Sequence, residues 1–147
     1  MKRLFLYEIV EDIQTTEDLK TTLFKYLDHV RGFSTLVDII YNTKYQYEFD
    51  KSIMDVEPRS KRDNGGFATA WLDVVKVLKT KLIKSTNLSA RAPDYYVKAI
   101  RSCNKKDADI LDYALLHHNF PGFKGAKKKI LTNLLDEYYG ASNGETN

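Results

Sequence analysis

A chain of 147 residues with 23 Lys/Arg, 20 Asp/Glu and one cysteine is long enough to bury a core without disulfide or metal staples. The single cysteine excludes an intramolecular disulfide and a zinc ribbon or finger, and no apolar run approaches the roughly 18 residues that span a bilayer. The formal charge of +3 conceals an uneven distribution: residues 57–106 hold twelve Lys/Arg against four Asp/Glu, residues 1–56 seven against ten, and residues 107–147 four against six.

Apolar residues recur at helical spacing almost throughout, which predicts an all-α, single compact domain of about seven helices over residues 1–139. The first helix reads Leu4 to Ile13, with Leu6, Ile9, Val10 and Ile13 as its buried stripe. It already carries Glu8, Glu11 and Asp12 soon after Met1-Lys2-Arg3, a pattern unlike a secretion signal. Thr15 with Asp18 resembles a capping box for a second helix, whose Leu19, Leu23, Tyr26, Leu27 and Val30 share a face and which Gly32 closes. Ser34 is placed to cap a third, holding Leu36, Val37, Ile40 and Tyr41. Tyr45, Tyr47 and Phe49 alternate with polar residues at strand period, but one strand has nothing to pair with. They read as the end of the third helix or an extended segment packed on the core.

From Asp50 to Gly66 helical periodicity is lost, and a loop of this length is uncommon unless functional or disordered. The strongest helical pattern follows, Phe67 to about Ser85, with Trp71, Val74, Val75, Leu78 and Leu82 inside. Pro93 suits the first turn of a fifth helix carrying Tyr96, Val97 and Ile100 and ending near Cys103. Asn104 with Asp107 predicts the cap of a sixth, with Ala108, Leu111, Ala114 and Leu115 inside. The seventh spans about Gly125 to Tyr139, with Ile130, Leu131, Leu134, Leu135 and Tyr138 on its stripe. Residues 140–147 have no large apolar side chain and are expected to form a disordered tail.

The last two helices are joined by Asn119-Phe120-Pro121-Gly122-Phe123-Lys124-Gly125, and the second opens with Lys127-Lys128-Lys129. This turn looks like a relative of the helix-hairpin-helix, with its second glycine, Gly125, one position late. Glycine lets a sugar–phosphate backbone come close, and main-chain N–H groups at a helix start can donate to phosphate oxygens without reading bases. Gly122, Lys124, Gly125, Lys127 and Lys128 are the expected phosphate cradle, flanked by Lys105 and Lys106. Arg59, Lys61 and Arg62 in the long loop are expected to reach a neighbouring strand. The plainer reading is an ordinary helix connection with solvated lysines.

Catalytic and metal constellations are missing from the sequence. His29, His117 and His118 lack the i, i+4 or carboxylate spacing of a metal site, Cys103 has no base beside it, and Asp107, Asp109 and Asp112 read as an exposed helix face. No catalytic residue, metal or cofactor is expected.

With this helix order in place, the chain resembles the N-terminal helical DNA-binding domain of ATP-dependent DNA ligases, particularly the phage type, over roughly Arg3 to Leu131. The resemblance rests on Leu4-Phe5-Leu6-Tyr7-Glu8-Ile9, the Thr15-Thr16 helix start, the Tyr41 to Tyr47 aromatics, and Trp71-Leu72-Asp73-Val74-Val75. Its best part is Asn104-Lys105-Lys106-Asp107-Ala108-Asp109-Ile110-Leu111, followed by a glycine-containing turn and a Lys-rich helix. Lys61-Arg62-Asp63-Asn64 only approximates the ligase Lys-x-Asp-Gly motif, and 147 residues leave no room for the catalytic domains. The resemblance therefore implies a stand-alone, non-enzymatic phage accessory protein, working in the host cytoplasm and holding duplex DNA backbone with little sequence preference. The alternative is a protein–protein module that docks on and modulates a host or phage enzyme.

Overall fold

The computed structural model describes residues 4–42, 68–79 and 92–143, with side chains in the last span described from 95 to 140. Seven helices are found there and no strand: α1 (Leu6–Thr15), α2 (Leu19–His29), α3 (Phe33–Tyr41), α4 (Ala70–Val77), α5 (Ala92–Arg101), α6 (Lys105–His117) and α7 (Ala126–Asn143). The protein is an all-α domain. The alternating segment at residues 45–49, the long loop with Arg59, Lys61 and Arg62, and Leu82 lie outside the described residues.

The apolar stripes build the core. Leu6, Ile9, Val10 and Ile13 of α1 are all buried, as are Leu23, Tyr26 and Leu27 of α2 and Leu36, Val37 and Ile40 of α3. Trp71, Val74, Val75 and Leu78 join them from α4, Tyr96 and Ile100 from α5, and Ala108, Leu111, Ala114 and Leu115 from α6. Burying a large aliphatic side chain stabilises by about 1.5–3 kcal/mol, so this shared interior is the principal force holding the helices together. The main helix pairs are α4 with α5, α1 with α2, α1 with α6, α2 with α3, and α2 with α7. Helices α6 and α7 are not among them; from the turn, α7 runs to α2.

Tyrosine hydroxyls tie neighbouring helices over this core. Tyr26 donates to Asp12 at 2.5 Å, Tyr96 to Asp112 at 2.6 Å, Tyr138 to Asp28 at 2.7 Å and Tyr139 to the Ser34 carbonyl at 2.6 Å. Hydrogen bonds to a charged acceptor are stronger than neutral ones, which fits the half-buried positions of Asp12 and Asp112, the latter expected on an exposed face. Trp71 donates its indole N–H to the Leu4 carbonyl at 3.2 Å and so fixes the entry into α1.

Helix ends differ in detail from the sequence pattern. The first helix begins two residues late, at Leu6, where the Glu8 carboxylate accepts the Phe5 N–H. Asp18 rather than Thr15 caps α2, accepting the Thr21 N–H at 3.2 Å. Gly32 opens α3, so Ser34 sits inside it. The last helix continues through Gly140 to Asn143, past the point where the tail was expected to begin.

Candidate nucleic-acid interface

The turn between α6 and α7 is held from three directions. Phe120 and Phe123 are buried, and Phe120 stacks on Phe33 with Tyr41 edge-on to it. The Tyr41 hydroxyl donates to Asn119 Oδ1 and accepts the Phe120 N–H, both at 2.8 Å, while Asn119 Nδ2 donates to the Phe123 carbonyl at 2.6 Å. From α1, Gln14 Nε2 donates to the Pro121 carbonyl at 2.5 Å. A buried polar network satisfied in this way fixes one conformation. The turn is therefore a built corner rather than a flexible connection.

Its two glycines serve different ends. Gly122 has φ of +88°, and a Cβ there would meet Gln14 Nε2 at 2.8 Å, so both conformation and close approach call for glycine. Gly125 has φ of +58°, but a Cβ would meet nothing within 4 Å. Here conformation alone requires glycine, and the space beside the backbone is open.

Gly125 occupies the capping position of α7: its carbonyl accepts the Lys129 N–H at 3.1 Å, yet it has no side chain to return to the helix. The N–H groups of Ala126, Lys127 and Lys128 meet no acceptor among the described residues. No acidic residue lies in the first turn. Lys124, Lys128 and Lys129 are exposed, and their side chains engage no partner among the described residues. The positive pole of the helix thus lies within a segment that carries three exposed lysines.

Lys127 differs from its neighbours. Its ammonium donates to the Gln14 carbonyl at 2.6 Å and lies 5.3 Å from the centre of the Phe123 ring. A cation on the last turn of α1 interacts favourably with the negative end of that helix, so Lys127 has a structural occupation the sequence did not signal.

Lys105 and Lys106 lie at the far end of α6 from the turn. A 13-residue helix spans about 20 Å, and both are engaged there: Lys105 pairs with Asp109 at 3.5 Å, and Lys106 lies 4.9 Å from the centre of the Tyr7 ring. They do not flank the cradle. Ile130, expected on the buried stripe, is 53% exposed just beyond the lysines.

The start of α6 has the opposite character. Asn104 caps it by accepting the Lys106 N–H at 2.9 Å, as the sequence predicts. Asp107, expected on an exposed face, has no exposed surface at all; its Oδ1 accepts the Tyr7 N–H at 2.7 Å, and its Oδ2 has no hydrogen-bond partner among the described residues. Burial pushes its carboxyl up to about 6, against the lowering effect of the Tyr7 and Leu6 N–H groups. Cys103, just before α6, is also buried, and burial pushes its thiol up to about 12, with Asp107 adding to the shift.

No group of three or more His, Cys, Asp or Glu side chains among the described residues could hold a metal ion. The rings of His117 and Tyr113 lie tilted at 41° to each other with centres 4.3 Å apart, and His118 ends α6 in the left-handed conformation. No helix among the described residues is long and apolar enough to cross a membrane. Comparison with protein-family models, curated proteins and solved structures finds no match to this chain.

Proposed function

We propose that this chain is a non-enzymatic module that grips nucleic-acid backbone, with duplex DNA the favoured polymer, and makes few or no base contacts. The observation that carries the reading is the bare start of α7: exposed Lys124, Lys128 and Lys129, without a partner among the described residues, beside open helix N–H groups on a fixed corner. Phosphate contacts of this kind confer affinity and orientation without sequence information. In this reading the chain acts as a phage-encoded counterpart of the ligase DNA-binding domain that its helix order resembles.

The test is a salt series with several unrelated duplexes. Binding is expected at low salt, with similar affinities for all sequences and a loss of about 0.9 logarithmic units per tenfold rise in salt for each phosphate neutralised. Failure to bind any duplex at low salt overturns the reading. A second reading, docking on a host or phage enzyme, rests on Ile130, whose side chain is left uncovered directly after the lysines. It calls for one stoichiometric protein partner and indifference to DNA in the same assay.

A further inference from the structure

We propose that Gln14 is a positioning residue of the cationic corner, setting the turn in the conformation that presents Lys124, Lys128 and Lys129 while touching no phosphate itself. The proposal deepens the nucleic-acid reading and rests on it. Gln14 stands at the end of α1, more than a hundred residues from the turn in sequence, and meets it through both its side chain and its main chain. Its amide donates to the Pro121 carbonyl, and its carbonyl receives the Lys127 ammonium. The two bonds form a reciprocal clasp between the end of α1 and the start of α7.

The clasp also accounts for Gly122. Its left-handed backbone lies so near Gln14 Nε2 that any side chain would displace the amide. Because Lys127 spans from α7 back to α1, it fixes the direction in which α7 starts, and Lys128 and Lys129 follow from that direction. Fixing a binding surface before the partner arrives removes an ordering cost from association.

This assigns Gln14 and the neighbouring lysines different thermodynamic signatures. A lysine that neutralises phosphate contributes to the salt slope, whereas a residue that only orders the surface changes affinity at constant slope. For Gln14→Ala, the expected result is roughly five- to tenfold weaker duplex binding with the parent slope. Gln14→Met, which keeps the length but loses the donor, and Gly122→Ala, which pushes on the same contact from the other side, are expected to behave alike. Lys128→Ala, in contrast, should flatten the slope by about 0.9.

A second readout is independent of any polymer. The Phe120 N–H is held by the Tyr41 hydroxyl inside the corner, so its hydrogen exchange reports the order of the turn and should accelerate about tenfold in Gln14→Ala. Parent-like affinity, a flattened slope, or unchanged Phe120 exchange in Gln14→Ala and Gln14→Met each overturns the proposal. If the parent protein binds no duplex, the nucleic-acid reading falls by itself, and Phe120 exchange still decides whether Gln14 orders the turn.

Discussion

The starts of α6 and α7 are two solutions to the same physical problem. Every helix begins with main-chain N–H groups that lack internal acceptors and with a partial positive charge. At α6 the protein answers both: Asn104 accepts one N–H, and Asp107 places a carboxylate in the first turn. At α7 it answers neither. Glycine stands where a capping side chain would be, and three lysines follow where acidic residues are favoured. Asp107 is withdrawn from solvent and spent on the first turn of α1, whereas Lys128 and Lys129 face outward. The first end is built for internal cohesion; the second finds no carboxylate or capping side chain among the described residues, which is the basis of the proposal that it meets an anionic partner.

Charge reversal at α7 has the largest expected effect. Replacing Lys124, Lys128 and Lys129 together with Glu is expected to weaken duplex binding by about a hundredfold or more at low salt, with the melting transition retained. Lys105 and Lys106, at the other end of α6, should tolerate the same change with a much smaller loss. Equal losses at both ends would remove the distinction between them. The next largest effect concerns the corner that carries the lysines. Tyr41→Phe strands the Phe120 N–H and the Asn119 side-chain Oδ1 in a buried setting, and chemical denaturation should register a cost of about 2 kcal/mol.

At the α6 end the deciding variable is pH. The folded Asp107 carboxyl titrates at about 6, above the ordinary aspartate value of roughly 3.9 expected in the unfolded chain. Between those values the folded state holds more protons, so the contribution of this group to stability is greatest at low pH and is lost as pH rises through about 6. Asp107→Asn keeps an acceptor for the Tyr7 N–H and removes the buried charge. It should raise stability at neutral pH by about 1–2 kcal/mol, less than the full charge penalty because the new amide nitrogen inherits the unpartnered place of Oδ2. Denaturation of parent and variant from pH 4 to pH 7 should show the difference between them widening with pH. A constant difference would mean that Asp107 titrates normally.

The sequence exposes the core of this protein and hides the framing of its corner, for one reason. Core stripes are local: Leu6, Ile9, Val10 and Ile13 announce themselves through spacing within a single helix, and the same holds for Leu111, Ala114 and Leu115. The cap at Asn104 is local too. Gln14, Asp107 and Lys127 act across a hundred residues of chain or more, and no periodicity marks a side chain whose partner is that distant. Asp107 looked like part of an exposed acidic face because Asp109 and Asp112 accompany it. Only the arrival of the Tyr7 N–H distinguishes it. Ile130 shows the converse: it matches the helical period, yet α7 sits on α2 in a rotation that leaves it in solvent.

The smallest expected effect discriminates best between a surface that serves a partner and one that is merely solvated. Lys128 occupies the third residue of α7, where a carboxylate is favoured by the helix dipole and by the open N–H groups. Lys128→Glu should therefore stabilise the protein by about 0.5 kcal/mol, a small rise in the denaturation midpoint, while weakening duplex binding and flattening its salt dependence. A substitution that improves the fold and impairs binding locates the function at that residue, because damage to the structure cannot produce both results. If Lys128→Glu instead stabilises the fold and leaves DNA affinity and salt slope at parent values, the lysines of α7 are ordinary solvated residues and the contrast with α6 has no functional content.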